Sequence, residues 1–140
     1  MVDDHPIIIE GYQNVLMATK ADDQTLLIDT ANNCETAALM INRASNGTPY
    51  DVCFFDISLP ASEDGEYASG EDLALLAKRV LPNTKIVILT MFNESFRIYN
   101  IIKGINPDGF LIKSDLTSME LADAFQQILE SPPYYSSTVN

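Results

Sequence analysis

Four sets of polar residues in this sequence have the types and spacing that phosphoryl chemistry at a carboxylate requires. They are Asp3 with Asp4, Asp56, Thr90, and Lys113. Each set ends or follows a short apolar, β-rich run. The carboxyl ends of parallel strands form the edge of an open sheet where ligands bind. We therefore expect these residues to converge in space, although they are far apart along the chain.

The expected cluster of carboxylates requires a countercharge. Three carboxylates within about 5 Å of one another repel by about 3 kcal/mol per pair at an effective dielectric of 20. Mg²⁺ is suited to this role because it prefers oxygen ligands and keeps positions for phosphate and water. Lys113 supplies a positive charge for a phosphoryl oxygen, and Thr90 a hydroxyl donor. Asp56 is then the nucleophile, which accepts the phosphoryl group as an acyl phosphate.

Each of these residues also has an ordinary structural interpretation. Asp3 and Asp4 before a helix resemble N-cap residues, Thr90 is a common strand end, and Lys113 resembles a solvated lysine. The order of the whole set at successive strand ends, rather than any single member, indicates a functional site.

The elements that position these residues alternate between strands and helices, which predicts βαβ units with a parallel sheet. Apolar spacing predicts helices over residues 6–19, 34–44, 71–80, 94–103 and 118–129, and strands over residues 24–30, 51–55, 85–90 and 109–112. Val2 is the remnant of a first strand. Because a buried strand normally has about five residues, we expect a few apolar residues to precede Met1 in the natural gene.

Composition restricts the class of protein. At 140 residues and 46% hydrophobic, the chain has the size of one domain. Its net charge of −12 repels polyanions, so we expect no direct binding of nucleic acid by this domain. We expect no membrane span and no secretory signal, because the apolar runs are short and the N-terminus is acidic. A cytoplasmic location follows, with Cys34 and Cys53 reduced and packed.

The sequence resembles the receiver domains of response regulators in two-component signalling. The resemblance covers nearly the whole chain and lies in residues 2–6 (Val-Asp-Asp-His-Pro), 50–60 (Tyr-Asp-Val-Cys-Phe-Phe-Asp-Ile-Ser-Leu-Pro), 87–90 (Val-Ile-Leu-Thr) and 109–113 (Gly-Phe-Leu-Ile-Lys). It implies a flavodoxin-like (βα)5 α/β fold, a doubly wound parallel sheet of order 2-1-3-4-5. It also implies phosphoryl transfer from a histidine kinase with Mg²⁺, and no enzymatic activity beyond its own phosphorylation and dephosphorylation.

The resemblance assigns a role to each matching residue. Asp56 matches the phosphoacceptor and Lys113 the lysine that contacts the phosphate. Thr90 matches a switch hydroxyl that moves towards the phosphoryl group, and Phe110 a switch aromatic that turns inward. The implied metal ligands are Asp3, Asp4, Asp56 and the main-chain carbonyl of Ser58.

The expected domain organisation is a receiver domain over residues 1–130 and a tail or linker over residues 131–140. Asp-Asp-His-Pro near the start and Tyr134-Tyr-Ser136 near the end resemble the subfamily with a C-terminal helix-turn-helix DNA-binding domain. We therefore favour a fragment of a transcription regulator over a single-domain regulator. The implied partners are a sensor histidine kinase and, in a homodimer, a second copy, with DNA bound only through an output domain outside this chain.

Two departures and two alternatives accompany this resemblance. Ser114 stands where proline often follows the lysine, and the loop over residues 61–70 is longer than usual. An aspartyl-phosphate phosphatase would carry a second acid where this chain has Ser58, and it would release many phosphates per chain. An inert interaction module would have lost an acid, the threonine or the lysine, and none is lost.

Overall fold

The structure is a computed structural model that describes residues 1–91 and 95–136, without the side chains of residues 95 and 96. The described elements are α1 (Pro6–Thr19), α2 (Cys34–Ser45), β1 (Val52–Asp56), α3 (Gly70–Val80), β2 (Lys85–Thr90), α4 (Ser95–Ile105), β3 (Gly109–Ile112), α5 (Ser118–Glu130) and β4 (Tyr134–Tyr135). Residue 94, where the fourth helix was predicted to begin, and residues 137–140 of the predicted tail lie outside the described residues.

The sheet is parallel and has the order β1-β2-β3-β4. Val2 extends it on the other side of β1, because it forms parallel bridges to both Phe55 and Ala31. The sheet therefore runs from Ala31 through Val2 to β1, β2 and β3. This arrangement confirms the predicted flavodoxin-like α/β fold and its strand order.

The prediction of a strand over residues 24–30 is wrong, because this segment forms no regular strand. The bridge to Val2 is made by the next residue, Ala31. A strand requires a partner to which its main chain can bond. The pairing made here is the Val2 bridge to Ala31 and the bond from the Met1 amino group to Asp29 O. Leu27 is 90% exposed although its sequence context is apolar.

Two residues of the predicted tail or linker over residues 131–140 form the short strand β4. The Tyr134 amide donates to the Asp108 carbonyl at 2.9 Å, and the Ser136 amide donates to the Phe110 carbonyl at 2.8 Å. These bonds pair the outer edge of β3, which would otherwise leave main-chain groups without partners. Ser136 is buried as a result.

Two apolar layers hold helices on opposite faces of the sheet. Strand residues alternate between the layers, so Phe54 and Val87 face α1 and α5, whereas Phe55 and Ile88 face α2, α3 and α4. Buried parallel strands carry apolar residues on both faces, which accounts for the apolar runs in β1, β2 and β3. Cys34 and Cys53 are free and buried, as the sequence predicted.

Local sequence sets the helix boundaries. Pro6 occupies the first turn of α1. The side chains of Asn33, Ser69 and Thr117 accept hydrogen bonds from main-chain amides at the starts of α2, α3 and α5. In the part of the chain that the structure describes, no helix is both long and apolar enough to cross a membrane.

Candidate functional site

Three acidic side chains meet at the carboxyl end of the central strands. Asp3 and Asp4 follow the Val2 bridge, and Asp56 is the last residue of β1. One ligand atom from each of Asp3, Asp4, His5 and Asp56 lies within 4.8 Å of the others. The sheet thus brings together the acids that the sequence placed at the ends of different strands.

Lys113 supplies a positive charge inside this cluster. It directly follows β3, and its Nζ lies 2.8 Å from Asp3 Oδ2 and 3.4 Å from Asp56 Oδ2. The side chain of Lys113 is 3% exposed, and those of both acids are 1% exposed, so these charges are barely screened by water. This one lysine contacts two of the three clustered carboxylates, so the cluster carries an excess of negative charge.

Asp56 is held in a fixed orientation. Its Oδ1 accepts a hydrogen bond from the Ser58 amide at 2.9 Å, and its Oδ2 faces Lys113. Burial raises the pKa of Asp56 above its ordinary value, and the nearby Asp3 carboxylate raises it further. The Ser58 amide and the Lys113 ammonium oppose this increase in pKa because they stabilise the ionised form.

His5 is a member of the cluster that the sequence analysis did not identify. Its Nδ1 lies 3.0 Å from Asp3 Oδ1 and 3.1 Å from Asp4 Oδ1, and its main-chain amide donates to Asp3 Oδ1 at 2.9 Å. The sequence signal that could have identified His5 is its position between two acids, Asp3 and Asp4, and Pro6 at the start of α1. Because the His5 side chain is 58% exposed, it forms the outer rim of the cluster.

One oxygen of the Asp4 carboxylate has no hydrogen-bond donor among the described residues. Asp4 Oδ1 is buried and accepts no hydrogen bond of acceptable geometry from the described residues, although His5 Nδ1 lies at 3.1 Å. A buried oxygen with free lone pairs is costly unless a donor or a cation satisfies it. Closely spaced carboxylate oxygens with excess negative charge fit a hard divalent cation such as Mg²⁺. Asp3, Asp4 and Asp56 are the residues that would hold it.

The other predicted residues lie at the same edge or just behind it. Thr90 is buried at the end of β2, one residue past Leu89, which pairs with Asp56. Phe110 lies in the middle of the sheet, is fully buried beside Ile88, and therefore already faces the interior. Ser58 contributes its main-chain amide to Asp56. Ser114 lies in a single 3-10 turn over Lys113–Asp115.

The long loop predicted over residues 61–70 contains no helix or strand before Gly70, where α3 begins. Ser62 organises its turn, since its hydroxyl donates to Asp64 Oδ1 and accepts from the Tyr67 amide. The Glu63 amide donates to Glu35 Oε1 at 2.7 Å, which fixes the loop to α2. The loop leads into Gly70, which packs against the main chain of Asp56.

Comparison with known proteins shows similarity to bacterial regulators. The chain is 31% identical over 126 residues to the transcriptional regulatory protein YxjL of Bacillus subtilis, covering 90% of the chain and 51% of that protein. It is 25% identical over 114 residues to the oxygen regulatory protein NreC of Staphylococcus epidermidis, covering 81% of the chain and 46% of that protein. The chain spans about half the length of these relatives. No protein-family model matches it.

Among solved structures, the isolated REC domain of RcsB from Salmonella enterica serovar Typhimurium has a similar fold. The TM-score is 0.76 at 20% sequence identity, covering 99% of this chain and 91% of that domain. The two-component response regulator of the LuxR family from Aurantimonas sp. SI85-9A1 gives a TM-score of 0.74 at 23% identity, covering 99% and 88%. These likenesses show the fold.

The doubly wound parallel sheet, with an acidic cluster and a buried lysine at its carboxyl edge, has a flavodoxin-like fold. The relatives and the solved structures together show that the chain is similar to the receiver domains of response regulators.

Proposed function

We propose that this receiver domain accepts a phosphoryl group on Asp56 from the phosphohistidine of a sensor histidine kinase. The observation that carries the proposal is the Asp56 carboxylate, which is buried beside Lys113 within a cluster of acids at the carboxyl edge of the sheet. Carboxylates placed in this way are suited to form an acyl phosphate when cations neutralise the transferred group. The RcsB domain of similar fold was solved in the presence of the phosphomimetic BeF3−.

In the proposed transfer, a carboxylate oxygen of Asp56 forms a bond to phosphorus. The bond between phosphorus and the donor imidazole nitrogen breaks, and the released imidazole takes a proton from solvent. The Ser58 amide holds Oδ1, which keeps the carboxylate group in one rotamer. Because Oδ2 faces Lys113, a phosphoryl group on that side would meet a positive charge at once.

The remaining residues of the proposed site act on the transferred group and on the metal. Lys113 exchanges its contact with Asp3 for one with a phosphoryl oxygen, and the Thr90 hydroxyl donates to another. Asp3, Asp4, Asp56 and the Ser58 carbonyl would hold Mg²⁺, which would neutralise charge on the phosphoryl oxygens. Hydrolysis of the acyl phosphate by water returns the domain to its initial state.

We further infer that the phosphorylated state controls an output, in keeping with the relatives that are named as regulators. Thr90 is the proposed switch residue that approaches the phosphoryl group. Phe110 is the proposed second switch residue, and its ring already lies in the interior in this structure. The proposed partners are a sensor histidine kinase and a second copy of the chain. DNA would be bound by an output domain rather than by this domain. The proposed location of the protein is the cytoplasm.

The proposal is tested by incubating the purified chain with Mg²⁺ and a small acyl-phosphate donor, followed by intact-protein mass spectrometry. We expect one added phosphoryl group per chain, and none in Asp56→Asn, which removes the nucleophile but keeps the volume. Asp23→Asn, an exposed acid in a turn, is the matched control and should be phosphorylated normally. Modification of Asp56→Asn, or none in the wild-type chain, contradicts the proposal, whereas release of many phosphates per chain indicates a phosphatase.

A further inference from the structure

The His5 ring is not used by the helix that it precedes. His5 is the N-cap residue of α1, yet its side chain forms no capping hydrogen bond. An N-cap side chain commonly accepts from an amide of the first turn. Here the main-chain carbonyl of His5 accepts instead, from the Ile8 amide at 3.0 Å and the Ile9 amide at 3.2 Å. The main chain therefore forms the start of α1, and the ring is available for another contact.

Two nitrogens of His5 hold one oxygen of Asp3. The main-chain amide donates to Asp3 Oδ1 at 2.9 Å, and the ring Nδ1 lies 3.0 Å from the same oxygen. Because the Asp3 carboxylate is paired with Lys113 and can only accept, Nδ1 carries the hydrogen of this contact. The other oxygen, Asp3 Oδ2, faces Lys113 Nζ at 2.8 Å. His5 therefore determines which oxygen of Asp3 is turned towards the lysine.

The same ring nitrogen lies beside Asp4 without satisfying it. His5 Nδ1 is 3.1 Å from Asp4 Oδ1, but this oxygen accepts no hydrogen bond of acceptable geometry from the described residues. A single N–H points in one direction, and here that direction is towards Asp3. His5 thus gives the two neighbouring acids different roles. Oδ1 of Asp3 is occupied, whereas Oδ1 of Asp4 is open to a cation.

His5 acts from the surface on a carboxylate that lies in the interior. Its side chain is 58% exposed, whereas those of Asp3 and Lys113 are 1% and 3% exposed. A buried carboxylate depends on donors from the protein, because water does not replace a missing one there. Loss of the ring N–H would leave Asp3 Oδ1 with the main-chain amide alone, and the carboxylate could then turn.

We propose that His5 is a positioning residue that sets the orientation of Asp3 and Asp4 for a divalent cation. Its ring N–H keeps Asp3 Oδ1 occupied, so that Asp3 Oδ2 stays with Lys113 and Asp4 Oδ1 stays open. Mg²⁺ prefers oxygen ligands, so the ring acts on the carboxylates and does not bind the ion. This role of His5 rests on the metal site proposed above. Residues that orient metal ligands typically contribute about 10–100-fold to metal affinity.

The test compares the wild-type chain with His5→Leu and His5→Asn. Leucine and asparagine side chains have the same branched shape, but only asparagine carries an N–H donor at the position of the histidine Nδ1. Each chain is titrated with Mg²⁺ in the absence of a phosphoryl donor. The titration follows the amide NMR signal of Ser58, which contacts Asp56. We expect the dissociation constant to rise about tenfold in His5→Leu and to return close to the wild-type value in His5→Asn.

The same factor should appear in the Mg²⁺ concentration that gives half-maximal phosphorylation by a small donor. A His5→Leu chain that binds Mg²⁺ as tightly as the wild type overturns the role of His5. So does a His5→Asn chain that binds as weakly as His5→Leu, because the ring would then matter rather than its N–H. If circular dichroism shows only a lower melting temperature in His5→Leu, with unchanged Mg²⁺ binding, His5 serves the helix start and the proposal fails.

Failure of the function proposed for Asp56 gives a different result. The wild-type chain would then gain no phosphoryl group, while the difference in Mg²⁺ binding between His5→Leu and His5→Asn would persist. A Ser58 signal that does not respond to Mg²⁺ in the wild type overturns both the metal site and the role of His5.

Discussion

Gly70, the first residue of α3, approaches the main chain of Asp56 so closely that no larger residue fits. A methyl group on its α-carbon would overlap the Asp56 carbonyl oxygen and would lie 3.0 Å from the Ile57 α-carbon. These main-chain atoms belong to the last residue of β1 and to the residue after it, and they cannot rotate away as a side chain can. Gly70→Ala must therefore displace either the start of α3 or the residue at the centre of the site.

The expected decrease in the free energy of unfolding follows from this geometry. Forcing an extra methyl group into a packed interior destabilises a protein by about 1–3 kcal/mol. Alanine favours a helix over glycine by about 1 kcal/mol in a helix interior, but Gly70 lies at the helix start, where this gain is smaller. We therefore expect Gly70→Ala to lower the free energy of unfolding by about 1–3 kcal/mol.

Urea denaturation followed by circular dichroism measures this change, and Gly11→Ala is the matched control. Gly11 lies within α1, and nothing comes within 4 Å of a methyl group placed there. Gly11→Ala should raise the free energy of unfolding by about 0.5–1 kcal/mol. The prediction is thus a difference in sign between the same substitution at two helical glycines.

The displacement should also affect the chemistry proposed for Asp56. Lys113 Nζ lies 3.4 Å from Asp56 Oδ2, so a shift of a few tenths of an ångström changes a contact that is already long. Phosphorylation of folded Gly70→Ala by a small donor should be slower than that of Gly11→Ala. A Gly70→Ala chain as stable and as rapidly phosphorylated as the wild type would refute the reasoning.

Three further predictions use other contacts. Lys113→Ala leaves two buried acids without their cation, so it should lower the free energy of unfolding by about 3–5 kcal/mol without divalent cations, and Mg²⁺ should recover part of this loss in urea denaturation. Tyr50 donates to Asp29 Oδ2 at 2.7 Å, and burial with this hydrogen bond raises the pKa of Tyr50 to about 12. The contribution of this hydrogen bond to the free energy of unfolding is therefore complete below pH 10 and is lost as pH rises through 12. The free energy of unfolding of Tyr50→Phe, measured in urea, should therefore fall less over this alkaline range than that of the wild type. Ser136→Ala removes the buried acceptor of the Ile112 amide and should cost about 1–3 kcal/mol of unfolding free energy, whereas an equally stable variant would contradict this role.

The sequence predicted the elements whose signals are local. The bounds of Pro6–Thr19, Lys85–Thr90 and Gly109–Ile112 agree with the prediction. Pro6 marks the first turn of its helix, and the two strands are short apolar runs between polar or helix-ending residues. In these segments the intrinsic conformational preference of the residues and their burial in the core favour the same structure. The spacing of apolar residues alone was therefore sufficient to predict the element and its bounds.

The sequence failed where an element depends on a partner distant in the chain. Residues 24–30 have the composition of a strand, yet they form none, and they contact the line of Val2 through the bond from the Met1 amino group to Asp29 O. Tyr134–Tyr135 follow two prolines, which favoured a tail, but the open edge of β3 pairs with them. Neither outcome follows from residue spacing, since each depends on whether another segment offers free main-chain groups.

The candidate site shows the same division. The convergence of Asp3, Asp4, Asp56 and Lys113 could be predicted because parallel strands bring their carboxyl ends to one edge. His5 was missed because its contact with two carboxylates depends on where its ring turns. The close packing of Gly70 on Asp56 was also missed, because it depends on the path of a loop whose length is unusual.

The strand β3 joins the acidic cluster to residues 134–136. Its carboxyl end passes directly into Lys113, which contacts Asp3 and Asp56. Its outer edge bonds to residues 134–136, and the Ile112 amide, one residue before Lys113, donates to the buried Ser136 hydroxyl at 3.1 Å. A change in the contacts of Lys113 therefore acts on a strand whose next hydrogen bond is made with the C-terminal segment.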